Sequence, residues 1–564
     1  MARGFSEAVT GSRKEFDVCV IGTGAGGGVM LQQLTEAGFD VVALQRGPEL
    51  STAQFSDDEL DIIIRDRLFA ADQLETYRHD AGQKAEPGRY NQLAHAVGGS
   101  MTRWSGWSWR FREDDFRVLS AEGPVAGASL ADWPIGYEEM EPWYGLAERD
   151  FGVAGRRGAN PFAPPQKSEY PNPLHPERHS SLVFERGAEK LGHHPFPLPV
   201  AINPRPYRGR AACTYGGTCQ GFGCPIHAKA SSLSVCLPRA RATRRLDLRP
   251  HARVFELPLG PDGKVRGARY LDSNGAEREI RARHVVVSCS AIGSPHLLLL
   301  SKSGSFPQGL ANSSGLVGRN LMLHHHAAIR FLLEEPALGV TGIEATRAID
   351  DFHPSNPERG FIRGGVIAEV SSFTRQPIVY AMSGLGDPGL SARRWGSELK
   401  RFLREFPRAI TIGSILEDLP MEENRIDLDP DIRDSDGLPA PRLTHRQHPN
   451  DIAMNRWYAA RLPEIADACD ASEKWLMQLP GTTRIDEQTA MKGSAHVHGT
   501  CRMGSDPSRS VLDRWCRAHD VPNLWVVDGS GFPSSGGYNP TLTILANAYR
   551  VADHFVTEAH KGNL

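Results

Sequence analysis

Long apolar runs are missing from this chain of 564 residues, and none approaches the roughly 20 residues of a membrane-spanning helix. A basic tail is missing too, and the net charge of −3 argues against nucleic acid as a partner. The densest basic run, at 241–253, is broken by Leu and Asp, which indicates a solvated face. Nine cysteines are too few for a disulfide scaffold. What remains is an ordinary globular composition, long enough for roughly two to four domain-sized units.

The first residues, MARGFSEAVTGSRKEF, lack the apolar core of a secretory signal peptide. We therefore expect a chain that carries no export address of its own. Such a chain either stays in the cytoplasm or leaves it folded, together with a partner that carries the signal.

The clearest local pattern is a strand, a glycine-rich turn, a helix and a second strand near the start of the chain. FDVCVIG and FDVVAL predict buried strands, and VMLQQLTEAG predicts an amphipathic helix between them. Gly22, Gly24 and Gly27 form G-x-G-x-x-G, which lets backbone N–H groups approach a pyrophosphate at the helix N-terminus. The acidic residue that usually holds the ribose is replaced by Gln45, followed by Arg46. The pattern predicts dinucleotide binding without separating FAD from NAD.

The end of the chain carries a second group of motifs. HVHGTCRMG begins at His496, and LWVVDGS predicts a buried strand that ends at Asp528 and Gly529. Asn539 and Pro540 then open a helix, because Pro is favoured at the first helical position and Asn before it.

Together these stretches resemble the glucose–methanol–choline (GMC) oxidoreductases, an FAD-dependent family. The family pattern H-x-x-G-T-x-R-M-G is met from His496 on, the strand ending D-G-S at 528–530, and the helix start N-P-T-x-T at 539–543. AVGGSMTRWSGWSWR (96–110) is similar to the family's flavin-edge loop. VVVSCSAIGSPHLLLLS (285–301) is similar to its strand and helix near the adenosine.

The resemblance implies an α/β fold with a Rossmann-like FAD-binding domain and a discontinuous α+β cap domain that binds substrate and contains an antiparallel sheet. We assign residues 1–115, 205–330 and 486–564 to the FAD-binding domain, and residues 116–204 and 331–485 to the cap.

Within the cap, the Pro-rich stretch at 160–179 predicts irregular structure. GFIRGGVIAEV and RAITIGSILEDL predict strands, and ENRIDLDPDIRDSDGLPAPRL carries turn signals at DPD and SDG. A long helix is expected at roughly 449–478.

The family's catalytic pair falls on His496 and Asn539. An imidazole that is neutral near physiological pH can take the hydroxyl proton of an alcohol, and the amide can hold the hydroxyl oxygen. His498 lies only two residues from His496 and competes with it for the role of base. Asn539 has the alternative role of a plain helix N-cap.

Two further features have competing interpretations. The run of three histidines at 324–326 invites a metal site, but alternating faces of a strand do not chelate together, so packing near the flavin domain is favoured. Trp395 either stacks on a sugar or packs in the core.

The resemblance also implies how the cofactor is held. Arg103 stands where some relatives carry a histidine bonded to the flavin, so we expect non-covalent FAD. The helix that begins at Pro540 is expected to point its positive end at the flavin, which favours reduction modestly. Further cofactor contacts are expected at Gly98, Gly99, Thr102, Trp104, Ser105, Val254, Ser288, Asp528, Gly529, Asn539 and Thr541.

A glycine-rich loop at 211–232 contains three cysteines, Cys213, Cys219 and Cys224. Their spacing, C-x5-C-x4-C, lacks the paired C-x2-C of a zinc site. Clustered thiolates in such a loop suit iron–sulfur ligation, and three of them suit a 3Fe–4S cluster. A disulfide with one free thiol, or three reduced thiols, are the alternatives.

This loop is similar to the cysteine loop in large subunits of bacterial GMC sugar dehydrogenases of the gluconate, fructose and glucoside 3-dehydrogenase types. Many related loops carry a further cysteine where Gly216 stands. The resemblance implies an FAD-dependent dehydrogenase that oxidises a ring secondary hydroxyl of a sugar or glycoside to a ketone, with the glucoside 3-dehydrogenase type favoured. The hydride would pass to flavin N5.

Relatives of this kind pass electrons through the cluster to a cytochrome c and pair with a small subunit, often one with a Tat signal. Co-export with that subunit would place the enzyme in the periplasm. The alternatives are a GMC-type pyranose or C-glycoside oxidase that uses dioxygen, a gluconate 2-dehydrogenase type, a non-catalytic flavoprotein and a nicotinamide enzyme.

Overall fold

A computed structural model describes most of the chain. The described residues are 15–65, 74–88, 93–337, 341–370, 377–378, 380–381, 395–477 and 494–564.

A seven-stranded sheet lies at the centre of the described fold. Strand Glu15–Ile21 is flanked by Val41–Leu44 and Glu277–Val287, both parallel to it. Val18 pairs with Val41, and both side chains are fully buried, as the apolar sequence of these strands predicts. The remaining strands of this sheet are Leu246–Arg249, Arg253–Glu256, Gly267–Leu271 and Leu524–Val526.

Helices cover this sheet. Helix Ala25–Glu36 follows the first strand and packs against Thr541–His560 and Cys236–Ala242. Helix Tyr137–Phe151 packs against Thr541–His560 in turn. The other described α-helices are Val118–Glu122, His179–Lys190, Ser290–Leu300, Gly396–Arg404 and Pro449–Ala468. Short helical turns occur at Thr52–Gln54, Leu60–Ile64, Gly99–Thr102, Asp114–Phe116, Pro357–Arg359, Phe406–Arg408 and Gly529–Gly531.

A second, antiparallel sheet of six strands supports the other side of the molecule. Its buried face packs against helices His179–Lys190 and Pro449–Ala468. The strands, in spatial order, are Glu473–Met477, Ala328–Leu332, Ala409–Leu416, Gly365–Glu369, Arg347–Ile349 and Phe196–Pro197.

Two smaller sheets connect these parts. A four-stranded sheet is formed by Arg425–Arg433, Pro439–Thr444, Glu75–Arg78 and Glu86–Gly88. A two-stranded antiparallel pair joins Met322–Leu323 to Val497–His498.

The expected α/β class, with a Rossmann-like layer and an antiparallel sheet, is confirmed. The division into 1–115, 205–330 and 486–564 against 116–204 and 331–485 stays a prediction. Strand Ala328–Leu332 crosses the proposed boundary at residue 330. None of the described helices combines the length and apolar character that crossing a membrane would require.

The predicted cap strands are confirmed at Gly365–Glu369 and Ala409–Leu416, and the Pro-rich stretch at 160–179 is irregular until the helix that begins at its last residue. The turn signal at DPD falls within strand Arg425–Arg433 and marks a bulge there, because the pairing shifts register after Leu428. Oδ1 of Asp429 accepts from the N–H groups of Asp431 and Ile432, at 3.0 and 2.9 Å. The helix predicted at 449–478 is too long.

That helix ends at Ala468, and a strand, Glu473–Met477, follows it. Asp470 takes a left-handed φ of 61°, which cannot continue a right-handed helix. The histidine run at 324–326 lies just after strand Met322–Leu323 instead of within a strand.

Candidate active site

The G-x-G-x-x-G turn brings backbone atoms into close contact. Gly22 has a φ of +92°, and a Cβ atom there would stand 2.2 Å from the carbonyl oxygen of Ser288. A Cβ atom on Gly27 would stand 2.0 Å from the carbonyl oxygen of Gly22, while the N–H of Gly27 donates to Oγ of Ser288 at 2.7 Å. Gly24 is the N-cap of helix Ala25–Glu36, and no side chain caps this end. The helix N-terminus is therefore lined by backbone, as a pyrophosphate site requires.

The loop that begins with Gly98 and Gly99 lies directly on this turn. The N–H of Gly98 donates to Oγ1 of Thr23 at 3.0 Å. A Cβ atom on Gly99 would stand 2.7 Å from Cα of Gly24. Oγ of Ser232 donates to the carbonyl oxygens of Thr23 and Gly98, at 2.7 and 3.0 Å. Two glycine-rich segments thus form one narrow cradle in which side chains have no room.

The same loop is joined to the cysteine loop. The carbonyl oxygen of Arg103 accepts from the N–H of Gly221 at 2.7 Å. The indole N–H of Trp104 donates to the carbonyl oxygen of Ala230 at 2.7 Å. The flavin-edge loop and residues 221–230 are therefore held together through backbone groups. The loop also carries two further predicted contacts, Thr102 and Ser105.

At the end of the second strand, Gln45 is buried and its Oε1 accepts from N and Oγ1 of Thr23, at 3.1 and 2.9 Å. Arg46 pairs with Asp436 at 3.0 Å. Burial, and then the neighbouring Arg253, lower the pKa of Arg46 to about 10. Val254 lies buried on the strand that runs past this point.

The predicted contacts near the C-terminus are organised around a buried carboxyl group. Oδ1 of Asp528 accepts from the N–H of Ser530 at 2.9 Å, and Oδ2 accepts from Oγ of Ser294 at 2.6 Å. Burial raises the pKa of Asp528 above its usual range. Gly529 begins the helical turn that follows, and Thr541 is the first residue of the long C-terminal helix.

His496 and Asn539 lie in direct contact. Nδ2 of Asn539 donates to Nε2 of His496 at 2.9 Å. Oδ1 of the same amide accepts from the indole N–H of Trp109 at 2.7 Å. The helix cap is Pro540, and the side chain of Asn539 makes no capping bond. The amide is therefore held by a ring on each side.

A second histidine stands behind the first. Nδ1 of His324 lies 2.9 Å from Nδ1 of His496, and Nε2 of His324 lies 3.2 Å from the carbonyl oxygen of Ser535. The antiparallel pairing of Met322 with His498 brings the two chain segments side by side. Sequence reasoning treated His324 as packing and overlooked Trp109. The signals were the histidine run and the second tryptophan of the 96–110 motif.

Both rings are held in the neutral state. Burial, and then neighbouring imidazoles, keep the pKa of His324 and of His496 well below the ordinary value. The neighbours concerned include His326 and His498. A neutral imidazole in this position can accept a proton.

The competing residue, His498, is fully buried and stacks on Phe532, with 5.7 Å between ring centroids. Burial lowers the pKa of His498 to about 3. The structure brings Asn539 to His496 and not to His498.

A buried charge cluster surrounds Asp418. Its Oδ1 lies 3.1 Å from Nε2 of His325, and its Oδ2 lies 2.8 Å from Nε2 of His445. Burial opposes the charge on His325, but Asp418 and then Asp451 outweigh it and raise the pKa of His325 to about 10. Within the described residues, the one set of three potential metal-ligating side chains with atoms this close together is His325, Asp418 and Asp451.

All nine cysteines lie within the described residues and none of them forms a disulfide there, so the alternative of a disulfide in the cysteine loop is not seen. Cys213, Cys219 and Cys224 are each half-buried. Their sulfur atoms do not form a set within 4.8 Å of one another.

Lys229 holds the cysteine loop from inside. Its ammonium donates to the carbonyl oxygens of Cys219 and Phe222, at 2.5 and 2.8 Å, and to that of Trp104 at 2.6 Å. Burial lowers the pKa of Lys229, while Cys219 and Cys224 act in the opposite direction. A positive charge therefore lies close to two of the three thiols.

Trp395 is 80% exposed, so core packing is excluded for this side chain. It precedes helix Gly396–Arg404.

Comparison with known proteins identifies the family. Residues 168–326 and 420–548 match the N- and C-terminal domains of the GMC oxidoreductases. Three relatives match over nearly the whole chain. A 2-methyl-1,2-propanediol dehydrogenase from Mycolicibacterium austroafricanum is 34% identical and covers 97% of this chain and 96% of its own length.

The second relative, a paromamine 6′-oxidase from Streptomyces fradiae, is 32% identical and covers 95% of this chain and 90% of its own length. The third, a fructose dehydrogenase large subunit from Gluconobacter japonicus, is 28% identical and covers 97% of this chain and 98% of its own length. These relatives differ in substrate and in electron acceptor.

Proposed function

The chain belongs to the GMC oxidoreductase family, the FAD-dependent oxidoreductases that act on CH–OH groups, and the family expected from the motifs is confirmed. From this premise we propose that it is a dehydrogenase that oxidises a ring secondary hydroxyl of a sugar or glycoside to a ketone, with the glucoside 3-dehydrogenase type favoured. The single observation that carries the proposed chemistry is the contact between Nδ2 of Asn539 and Nε2 of His496.

The donor of Asn539 and the acceptor of His496 satisfy one another in this contact, so a bound hydroxyl would replace their mutual hydrogen bond with one bond to each. An alcohol hydroxyl is itself a donor and an acceptor. Its O–H can donate to Nε2 of His496, while its oxygen accepts from Nδ2 of Asn539. The two side chains therefore recognise both halves of the hydroxyl and fix which C–H bond faces away from them.

His496 acts as the general base. As the C–H bond breaks with its electron pair, the hydroxyl proton moves to Nε2 and the C–O bond becomes a carbonyl. A positioned base contributes roughly 10²–10⁴ to such a rate. Because its pKa lies well below the ordinary value, His496 is ready to accept a proton across the neutral range. Asn539 keeps its hydrogen bond to the oxygen throughout the step.

FAD, when bound, supplies the acceptor for the hydride that leaves the C–H bond. The residues present fit this cofactor, because Gly22, Gly24, Gly27 and Gly99 form a cradle that any Cβ atom at Gly22, Gly27 or Gly99 would obstruct. Further contacts are proposed for Gln45, Arg46, Gly98, Thr102, Arg103, Trp104, Ser105, Val254, Ser288, Asp528, Gly529, Asn539 and Thr541. Arg103 cannot bond covalently to a flavin as a histidine does, so we propose that FAD is bound non-covalently.

The N-terminus of the C-terminal helix carries a partial positive charge. Thr541 begins this helix directly after Pro540, and no side chain caps it. Its positive end would stabilise negative charge on a bound cofactor by about 0.3–1 kcal/mol, or about 2 kcal/mol when partly buried.

An iron–sulfur cluster, when bound to Cys213, Cys219 and Cys224, supplies an acceptor that takes electrons singly. Three half-buried thiols that form no disulfide, together with the ammonium of Lys229, fit this kind of group, and three ligands suit the 3Fe–4S type. The main-chain N–H of Gly221 and the side-chain ammonium of Lys229 donate to the carbonyl oxygens of Arg103 and Trp104, which supports a role beside the flavin.

The partners follow from this proposal. The fructose dehydrogenase relative is named a large subunit, so we propose a small subunit of the kind that bears a Tat signal, and a cytochrome c as acceptor. Periplasmic location by co-export is the corresponding proposal, with the cytoplasm as the alternative.

The acceptor test uses the purified holoenzyme. The flavin is reduced anaerobically with glucose, a methyl glucoside, gluconate or fructose, and either dioxygen or ferricyanide is then added. Rapid reoxidation by ferricyanide with slow peroxide formation supports the dehydrogenase. Rapid peroxide formation overturns it in favour of an oxidase, which the 32% identity to the paromamine 6′-oxidase makes the second candidate.

The cluster test measures iron and acid-labile sulfide in the wild type and in Cys219→Ser. Cys501→Ser is the matched control, because Cys501 is a fully buried thiol outside the loop. We expect iron in the wild type, loss of iron in Cys219→Ser and retention in the control, with FAD content unchanged. Iron-free wild-type protein purified anaerobically would contradict the cluster.

A further inference from the structure

Five groups form one continuous chain of hydrogen bonds through the candidate active site. The indole N–H of Trp109 lies 2.7 Å from Oδ1 of Asn539, whose Nδ2 lies 2.9 Å from Nε2 of His496. Nδ1 of His496 lies 2.9 Å from Nδ1 of His324. Nε2 of His324 lies 3.2 Å from the carbonyl oxygen of Ser535.

The two ends of this chain have fixed roles. An indole N–H can only donate, and a main-chain carbonyl oxygen can only accept. The three groups between them are ambiguous by themselves, because an amide can be flipped and a neutral imidazole has two tautomers.

From the carbonyl end, neutral His324 must donate from Nε2, so its Nδ1 is the acceptor. His496 must then donate from Nδ1, which leaves its Nε2 without a proton. From the indole end, Asn539 must turn its oxygen to Trp109 and its NH₂ group to His496. The two derivations meet at Nε2 of His496 and agree.

We propose that His324 and Trp109 are positioning residues, which hold His496 in the tautomer with an unprotonated Nε2 and hold Asn539 with its NH₂ group toward the same point. This inference rests on the proposed function, since it concerns the pair that would bind the alcohol. Neither residue touches substrate in this scheme. Each acts through its neighbour in the chain.

The direction of these hydrogen bonds matters, because the reversed direction would leave no base to take the hydroxyl proton. If His496 carried its proton on Nε2, that N–H would face the NH₂ group of Asn539, and two donors would meet the hydroxyl with no base present. A tautomer with the proton on Nδ1 removes this conflict. His324 supplies the acceptor that favours it.

The ends of the chain are themselves fixed. Oγ of Ser535 accepts from the N–H of Asp418 at 3.1 Å. Trp109 is buried, stacks on Tyr538 at 5.4 Å and meets the ring of Phe196 edge-on at 6.0 Å. Neither end can turn without disturbing packed neighbours.

Protonation of His324 would reverse its role, since both of its nitrogens would then donate. Burial and neighbouring imidazoles keep the pKa of His324 well below the ordinary value, which protects the chain. The titratable groups that face the two rings are His326, 6.1 Å from the ring of His496, and His498, 5.0 Å from the ring of His324. Asp418 acts on His498 and raises its pKa slightly against the effect of burial.

The kinetic test compares His324→Leu with His324→Asn in the holoenzyme. Leu removes the acceptor, whereas the Asn side-chain oxygen stands near the former position of Nδ1 and can accept from His496. We expect the rate of anaerobic flavin reduction to fall by about 10- to 100-fold in His324→Leu. His324→Asn should recover most of the rate, and the apparent substrate dissociation constant should change little in either.

The pH profile separates positioning from a structural role. Without its acceptor, His496 populates both tautomers, so the rate in His324→Leu should stay low across the neutral range instead of recovering at high pH. Trp109→Phe should lower the rate in the same way, because the amide of Asn539 is then free to flip. His284→Leu is the matched control, because this half-buried ring packs on Trp525 and Phe555 and belongs to no part of the hydrogen-bond chain.

The tautomer of His496 can also be measured directly in the wild-type protein, without any variant. In ¹⁵N NMR of the histidine-labelled holoenzyme, we expect the proton of His496 on Nδ1 and a bare Nε2. A proton found on Nε2 overturns the inference.

His496→Ala distinguishes failure of the proposed function from failure of the positioning roles. If it leaves flavin reduction unchanged, the proposed function fails. If it abolishes reduction while His324→Leu keeps the wild-type rate and pH profile, only the positioning roles fail.

Discussion

The ammonium of Lys229 donates to the carbonyl oxygen of Trp104 at 2.6 Å and so ties the cysteine loop to the loop expected at the flavin edge. Its other two hydrogen bonds go to Cys219 and Phe222 within the cysteine loop. One buried cation thereby fixes the distance between two segments more than a hundred residues apart in the chain. If the loop holds an electron acceptor, this contact sets where that acceptor stands.

We predict that Lys229→Met destabilises the protein by at least about 3 kcal/mol. The substitution leaves three carbonyl oxygens without their donor, and each unsatisfied buried group costs about 1–3 kcal/mol. Urea unfolding of the holoprotein measures the change. Lys167→Met is the control, because the side chain of Lys167 is 83% exposed, and it should shift stability by less than about 0.5 kcal/mol. Equal effects of the two substitutions would contradict the buried role.

We predict that His496→Gln lowers the rate of flavin reduction by substrate about 10²- to 10⁴-fold. Gln keeps a polar group in the site but cannot take the hydroxyl proton. Anaerobic stopped-flow absorbance measures the rate, with the FAD content of each preparation determined from its spectrum. His194→Gln serves as control, because that imidazole is largely exposed and pairs with Asp351 at the surface. An unchanged rate in His496→Gln would remove this residue from the mechanism.

We predict that Gly22→Ala loses FAD, while Gly158→Ala keeps it. Both glycines have left-handed φ angles, +92° and +73°, so Ala is strained at either position by about 1–2 kcal/mol. At Gly22 the added Cβ would also stand 2.2 Å from the carbonyl oxygen of Ser288, whereas at Gly158 it meets no atom within 4 Å. FAD content and thermal stability report the difference. Retention of FAD by both variants would argue against close packing at the turn.

We predict that the protein loses stability as the pH falls below about 6.5. Burial lowers the pKa of His296 and His498 to about 3, and of His326 to about 4, so these rings stay neutral when folded but take up protons when unfolded. Each such ring removes about 1.4 kcal/mol of stability per pH unit between the two pKa values. Free energies of unfolding measured from pH 7 to pH 4 test this.

One ring can be isolated in that experiment by His296→Gln, since Gln does not titrate. The slope of the unfolding free energy against pH should then become shallower by about 1.4 kcal/mol per pH unit.

The opposite dependence of stability on pH is expected in alkali. Burial opposes the charge on His353, but the neighbouring carboxylates of Asp115 and Asp350 outweigh it and raise the pKa of His353 to about 9. The contribution of His353 is therefore complete below about pH 6.5 and is lost as the pH rises through about 9. In the acid experiment, an unfolding free energy that changes with pH equally in His296→Gln and in the wild type would show that His296 is not buried in its neutral state.

Much of the fold was predictable because it depends on local patterns. Apolar runs and glycine spacing located strand Glu15–Ile21 and helix Ala25–Glu36, since strand burial and the tight turn leave their mark on neighbouring residues. The helix predicted at 449–478 ends at Ala468, shortly before the left-handed residue Asp470. The turn signal at DPD became a bulge, because the strands on either side of it pair with Pro439–Thr444.

The amino-acid sequence by itself determined the family, the dinucleotide turn and the candidate pair of His496 and Asn539, because each depends on residue types at fixed spacing. Only the tertiary structure decided that His324 and Trp109 complete that pair, and that Lys229 stands inside the cysteine loop. The contacts of His324 and Trp109 join segments that lie far apart in the chain. Lys229 is a buried group whose partners no local pattern encodes. Which nitrogen of an imidazole carries the proton depends on the partner that folding places beside it.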